Sequence, residues 1–250
     1  MFKKVLFILV ALCFMSVISG AVWAESKKII FATDATWPPM EFVDASKNVV
    51  GYTIDYITAA GKEAGFTPVF KNVAWDGIFA GLGAGKYDAI SSSVSITEKR
   101  KKVMDFSVPY FRVRQALVVR NDSKARSLED MIGKKVGTQI STTGTFAVKR
   151  IEGIVSKTYD EIGLAFEDLF NGRISGVVCD DPVAAQYALV TEKYKTTLKI
   201  AAVIETAEVE YYGIAVKKGN KEILDLVNKG IEAVKAKGLD KKILKKWIGQ

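Results

Sequence analysis

Apolar positions along this chain come as short runs divided by amphipathic stretches, and the two kinds alternate. Lys28-Ile29-Ile30-Phe31-Ala32 is a strand-like run that ends at Thr33-Asp34. Gly51-Tyr52-Thr53-Ile54-Asp55 opens a helical pattern that continues through Ala60 and stops at Gly65. Residues 66–73 read as strand, residues 75–82 as a short helix closed by Gly83 and Gly85, and Asp88-Ala89-Ile90 as strand again. Such alternation predicts a parallel-sheet α/β unit.

Phe106-Ser107-Val108-Pro109-Tyr110 breaks the rhythm, which then restarts. Residues 115–119 predict a strand, 128–132 a short helix, 135–137 a strand and 144–151 a helix. Tyr159 begins a further helix running to Phe170, stopped by Asn171-Gly172. Residues 175–179 form a buried strand, and 182–190 a helix with Pro182 in its first turn. Residues 211–216 are strand, and two lysine-rich helical patterns follow at 221–237 and 239–248. Two α/β units in succession predict two lobes. In such folds ligands sit beyond the carboxyl ends of the strands. Asp34, the serines after Ile90, Gln139 and Asp180 all follow predicted strands.

The first residues change this picture. Lys3-Lys4, an apolar run over residues 5–15, and Val22-Trp23-Ala24 ahead of polar Glu25-Ser26 have the composition of a secretory signal peptide. We expect cleavage after Ala24 and export to the periplasm or another extracytoplasmic face. Cys179 is then the one cysteine of the mature chain, so no internal disulfide is expected, and it reads as a buried strand residue. Net charge falls from +8 to +6 with the loss of Lys3 and Lys4. The lysines are spread out, without a basic-aromatic motif, so they read as a solvated surface and not as a nucleic-acid site. Cys179 has no histidine or second mature cysteine beside it, so neither a metal site nor a cofactor is expected.

The most specific chemistry lies in Ser91-Ser92-Ser93-Val94-Ser95-Ile96-Thr97-Glu98-Lys99-Arg100. Thr97 suits a helix cap, the serines offer hydroxyl and backbone donors, and Arg100 offers a planar fork for a carboxylate. Followed by Val103-Met104-Asp105-Phe106-Ser107-Val108-Pro109-Tyr110, this segment closely resembles the polar amino-acid-binding proteins of bacterial ABC uptake transporters. These belong to extracellular solute-binding protein family 3 and include lysine-arginine-ornithine-, histidine- and glutamine-binding proteins. Thr33-Asp34-Ala35-Thr36-Trp37-Pro38-Pro39-Met40-Glu41-Phe42 resembles the family's opening motif. Gly51-Tyr52-Thr53-Ile54-Asp55, Ile140-Ser141-Thr142-Thr143-Gly144 and Cys179-Asp180-Asp181-Pro182 resemble later ones, with Thr53 standing where the family commonly has aspartate.

The resemblance implies a two-lobed periplasmic-binding-protein fold with a two-strand hinge. Lobe one would hold residues 26–113 and 212–250, and lobe two residues 114–211. Arg100 would hold the ligand carboxylate, helped by Ser95 and by amides near Thr143. Asp180, in preference to Asp181, would receive the α-ammonium, with Ser92 and Ser93 as further acceptors. Trp37 and Trp75 would wall the side chain, while Asp34 and Gln139 would reach its distal end. Two indoles and a carboxylate suit a cation, so arginine or lysine is the expected ligand, with glutamine or histidine next. The implied partners are a free L-amino acid and the permease and ATPase subunits of the transporter, and the protein is expected to be monomeric. A different class, a cleft enzyme akin to a cyclohexadienyl dehydratase, would need a poised acid or base, and the chain has no histidine. We therefore expect no enzyme. Use as a chemosensory receptor is a third possibility that the residues do not separate from transport.

Overall fold

The computed structural model describes residues 26–205 and 209–249. The expected signal peptide lies outside the described residues. Strand β1 (Lys27–Thr33) leads into a small antiparallel meander of β2 (Thr36–Trp37), β3 (Glu41–Val43) and β4 (Val49–Val50). Then come α1 (Tyr52–Ala64), β5 (Phe66–Asn72), α2 (Ile78–Gly83), β6 (Ala89–Ile90), α3 (Glu98–Lys101) and β7 (Met104–Phe106). The chain crosses through β8 (Phe111–Val113) to β9 (Gln115–Arg120), then forms β10 (Lys135–Gln139), α4 (Thr143–Arg150) and β11 (Val155–Tyr159). After these come α5 (Ile162–Phe170), β12 (Gly176–Asp180), α6 (Asp181–Ala185) and β13 (Leu198–Ile204). It returns through β14 (Glu210–Tyr212) to β15 (Ala215–Lys217) and closes with α7 (Lys221–Ala236) and α8 (Leu239–Ile248).

Two five-stranded sheets result, ordered β5-β1-β6-β15-β7 and β11-β10-β12-β9-β13. In each, the first three strands are parallel, and the fourth is antiparallel to both of its neighbours. The same plan is thus built twice, a two-lobed α/β fold. The segments that cross between the sheets pair with each other: β8 and β14 form an antiparallel ribbon. A narrow two-stranded connection is what a hinge needs, since few residues absorb the dihedral change when the lobes move.

Local chemistry explains the frame of the first lobe. Helix α1 buries Tyr52, Tyr56, Ile57 and Ala60 along one stripe and ends on Gly65 in the left-handed conformation. At Gly51, which opens α1, φ is 136° and a Cβ would lie 2.2 Å from the Met40 carbonyl, so only glycine fits. Helix α7 presses against α1 so closely that a Cβ on Gly230 would meet the Ala60 carbonyl at 2.5 Å. Gly230→Ala should therefore pry the two helices apart and cost about 1–3 kcal/mol despite alanine's better helix propensity. Urea denaturation checks this, and an unchanged or raised midpoint contradicts it.

Three sequence expectations need correction. The helix expected from Tyr159 begins at Ile162, because Val155–Tyr159 pairs with β10 as an edge strand and Tyr159 lies opposite Gln139. That strand is mostly exposed, so it carries no apolar run to announce it. The single strand expected at 211–216 is two strands in different sheets, β14 against β8 and β15 against β6 and β7. The helix expected over 182–190 begins at Asp181 and turns from α to π geometry at Gln186–Val190.

Candidate functional site

The segment after β6 is short and constrained on both sides. The Asp34 amide donates to Ser92 Oγ at 2.9 Å, and Ser95 pairs with Tyr212 of the hinge ribbon. Thr97 caps α3, accepting from the Arg100 amide at 3.2 Å, which turns the Arg100 side chain inward. Ser93 and Ser141 both hold positive φ, 45° and 59°. Left-handed serines are costly enough that surrounding structure must impose them, and they recur at ligand clamps.

These constraints converge on one small cavity between the two sheets. Asp34, Trp37, Trp75, Ser92, Ser93, Ser95, Arg100, Gln139, Thr143 and Asp180 all line it, together with Thr142. The ten residues singled out from sequence are therefore brought together, and all but Thr143 are buried. They come from both lobes, and direct hydrogen bonds cross the cleft. Trp75 Nε1 donates to the Ile140 carbonyl at 2.8 Å, and Gln139 Nε2 donates to Asp34 Oδ2 at 2.9 Å. Arg100 reaches the Ser141 carbonyl at 3.2 Å, and Trp37 Nε1 reaches Asp180 Oδ2 at 3.3 Å.

One end of the cavity is cationic. Arg100 is 9% exposed, donates to the Ser95 carbonyl at 2.8 Å and lies over the rings of Trp75 and Phe79. Among the described residues it makes no ion pair. Burial lowers its pKa to about 10, with the Asp180 and Glu210 carboxylates opposing, so it stays charged at neutral pH. Opposite, Thr142 caps α4 by accepting from the Thr145 amide, and its own hydroxyl donates to the Gln139 carbonyl at 2.8 Å. As the first of the helix, the Thr143 and Gly144 amides have no intrahelical acceptor. A buried guanidinium facing a helix start has the chemistry to hold a carboxylate.

Asp180 forms the anionic counterpart. It accepts from Gln115 Nε2 at 2.6 Å and from the Tyr212 hydroxyl and Trp37 Nε1. Burial nevertheless pushes its pKa up to about 7. Asp181 has another job: it pairs with Arg114 at 3.2 Å beside the hinge and does not line the cavity. Ser93 donates to Glu41 Oε2 at 3.0 Å, which leaves its oxygen as an acceptor on the cavity side of that bond.

The far end is rich in acceptors. Asp34 accepts from Thr36 at 2.8 Å and from Gln139, and burial raises its pKa. Gln139 Nε2 gives its other hydrogen to the Asp160 carbonyl at 2.8 Å, so the amide oxygen remains as a second acceptor. Sequence reasoning missed Gln115, Tyr212, Thr142 and Glu41. Thr142 was audible in the Ser-Thr-Thr-Gly run ahead of a helix, and Glu41 lay inside a recognised motif. Gln115 and Tyr212 sit at strand ends where nothing local marks them. Thr53, the departure from the family pattern, is fully buried beside Tyr110 and does not line the cavity.

Comparison with known proteins bears on the fold and the family. An arginine-, lysine-, histidine-binding protein, ArtJ, from Geobacillus stearothermophilus superposes with a TM-score of 0.82 at 33% identity, over 90% of this chain and 96% of that one. An ancestral arginine-binding protein solved with arginine gives a TM-score of 0.83 at 39% identity, over 89% of this chain and 99% of its own. The putative ABC transporter arginine-binding protein 2 of Escherichia coli K12 is 36% identical over 229 residues, 89% of this chain and 91% of that protein. The model for bacterial extracellular solute-binding proteins, family 3, matches residues 29–250. The repeated sheet plan, the hinge ribbon and the interlobe cavity thus belong to a solute receptor and not to an enzyme, and the chain is a member of the bacterial extracellular solute-binding proteins, family 3.

Proposed function

We propose that this protein captures a free basic amino acid, arginine foremost, between its lobes and delivers it to the permease and ATPase of an ABC importer. Residues 26–113 and 212–250 move as one lobe and 114–211 as the other, about the β8–β14 ribbon. Arg100, Ser95 and the start of α4 take the ligand carboxylate, and Asp180 with Ser92 and Ser93 takes the ammonium. Trp37 and Trp75 flank the side chain. The observation that carries the choice of ligand is the distal pairing of Asp34 with Gln139, whose amide hydrogens are both spent on acceptors. What remains there accepts hydrogen bonds and carries negative charge, which suits a guanidinium and not the mixed donor and acceptor of a glutamine amide. The arginine-binding relatives favour the same choice.

Citrulline, which replaces the guanidinium by a neutral ureido group of the same shape, provides the test. Wild-type protein should prefer arginine, and Asp34→Asn should weaken arginine about 10- to 100-fold while moving citrulline little. Equal losses for both ligands would remove Asp34 from the distal site.

A further inference from the structure

Gln115 opens β9, two residues beyond the hinge ribbon, and is fully buried. Its Nε2 lies 2.6 Å from Asp180 Oδ1, 3.0 Å from Thr143 Oγ1 and 3.3 Å from Glu210 Oε2. All three neighbours can accept, and two are carboxylates, so the amide nitrogen faces them and the buried amide oxygen is left without a partner. Two hydrogens shared among three acceptors make this amide the junction of three elements: the end of β12, the start of α4 and the hinge strand β14.

The junction dictates polarity on both sides. With Gln115 donating to it, the Thr143 hydroxyl must direct its own hydrogen elsewhere, towards Ser95 Oγ at 3.4 Å or the cavity that Thr143 lines. That makes it a donor where the carboxylate site needs one. On the other side, Gln115 holds Asp180 Oδ1 while Tyr212 and Trp37 hold Oδ2, so the carboxylate cannot rotate. Thr143 and Asp180 are the lobe-two contacts for opposite charges of one zwitterion, and a single amide fixes their spacing.

We propose that Gln115 is the positioning residue of ligand capture, one side-chain amide that sets the ammonium acceptor and the carboxylate donor in register and ties both to the hinge strand. This rests on the amino-acid-receptor reading above. Because Glu210 is a hinge-strand acid 3.3 Å from the same nitrogen, the orientation of both ligand contacts is coupled to the position of β14. Gln115 also stands between Asp180 and Glu210, supplying positive hydrogen-bond character where two acids approach.

The test reads affinity for arginine against pH, because loss of a donor to Asp180 makes ionisation of that acid harder, whereas simple loosening of the fold does not. Groups facing Asp180 are the cation Arg100, the acids Glu210, Asp181 and Glu41, the Tyr212 hydroxyl and the Cys179 thiol; all are retained in the variant, and of them only Glu210 also loses a bond from Gln115. Gln115→Leu, similar in size and without donors, should bind arginine about tenfold more weakly at pH 8, and the deficit should widen as pH falls through 7. A deficit that is the same at every pH, or no deficit, overturns the proposal. Should Gln115→Leu and Gln115→Met both fail to fold, the side-chain amide resonance of Gln115 in the wild-type chain carries the test. It should resist solvent exchange and shift with the titration of Asp180; a freely exchanging amide indifferent to pH overturns the proposal as well. Wild-type protein that binds no amino acid at all would instead sink the receptor reading, so the two failures are distinguishable.

Discussion

Arg100→Met should abolish amino-acid binding while leaving the thermal midpoint of the ligand-free protein level or raised. The guanidinium is buried among two carbonyl acceptors and two aromatic rings, with no ion pair among the described residues. Its charge is therefore held in a poorly solvated place by hydrogen bonds and ring faces alone. An apolar side chain of similar length keeps the packing and removes the desolvation penalty, so folding loses little. In the proposed binding mode, binding loses the cation that faces the ligand carboxylate. Leaving that carboxylate buried and unpaired costs about 3 kcal/mol or more, at least a hundredfold in Kd. Calorimetry and a melting curve on the same preparation read both halves. Retained affinity, or a variant that no longer folds, would contradict this account of Arg100.

The second large effect concerns Asp180 and pH. Its folded pKa of about 7 stands above the ordinary carboxylate value of 3.8. A raised folded pKa means that the stability linked to this group is fully present below the unfolded value and lost as pH rises through about 7. In the proposed binding mode ligand binding runs the other way, because an ammonium needs the ionised carboxylate. Below pH 7 each bound arginine must displace a proton, and affinity should fall about tenfold per pH unit, a hundredfold between pH 7 and pH 5. Asp180→Asn should bind at least a hundredfold more weakly at pH 8 and lose the steep part of this dependence. Asp34, whose pKa burial also raises, leaves a shallower slope of the same sign. A wild-type affinity flat between pH 8 and pH 5 would show that Asp180 stays ionised without the ligand's help.

Much of this was readable in the sequence because the contributing signals are local. Whereas Trp37 and Trp75 stood out only through the resemblance to the family, a serine run before a capped helix and a carboxylate after a strand mark themselves by position within a few residues. The β-α alternation did the same for both lobes, and α8 coincides with the helical pattern read at 239–248. What escaped were features set by tertiary neighbours. Edge strand β11 alternates weakly because solvent covers much of it, so the helical pattern after it seemed to start early. Strand β13 was missed for a related reason: its residues are mostly half-buried, neither a core run nor a clean alternation. Gln115 and Tyr212 matter through Asp180, respectively 65 and 32 residues away, and no local pattern encodes a partner at that distance. The choice between Asp180 and Asp181 also turned on a neighbour, since Arg114 takes Asp181 out of contention for the cavity.

The central claim is that a free basic amino acid is the cargo. Protein unfolded in denaturant, dialysed free of bound solutes and refolded can be titrated calorimetrically with the individual L-amino acids. Arginine should give saturable binding tighter than glutamine or histidine, with lysine next and no ligand consumed. Binding of glutamine with no response to arginine or lysine would contradict the choice of ligand, and silence from every amino acid would contradict the receptor itself.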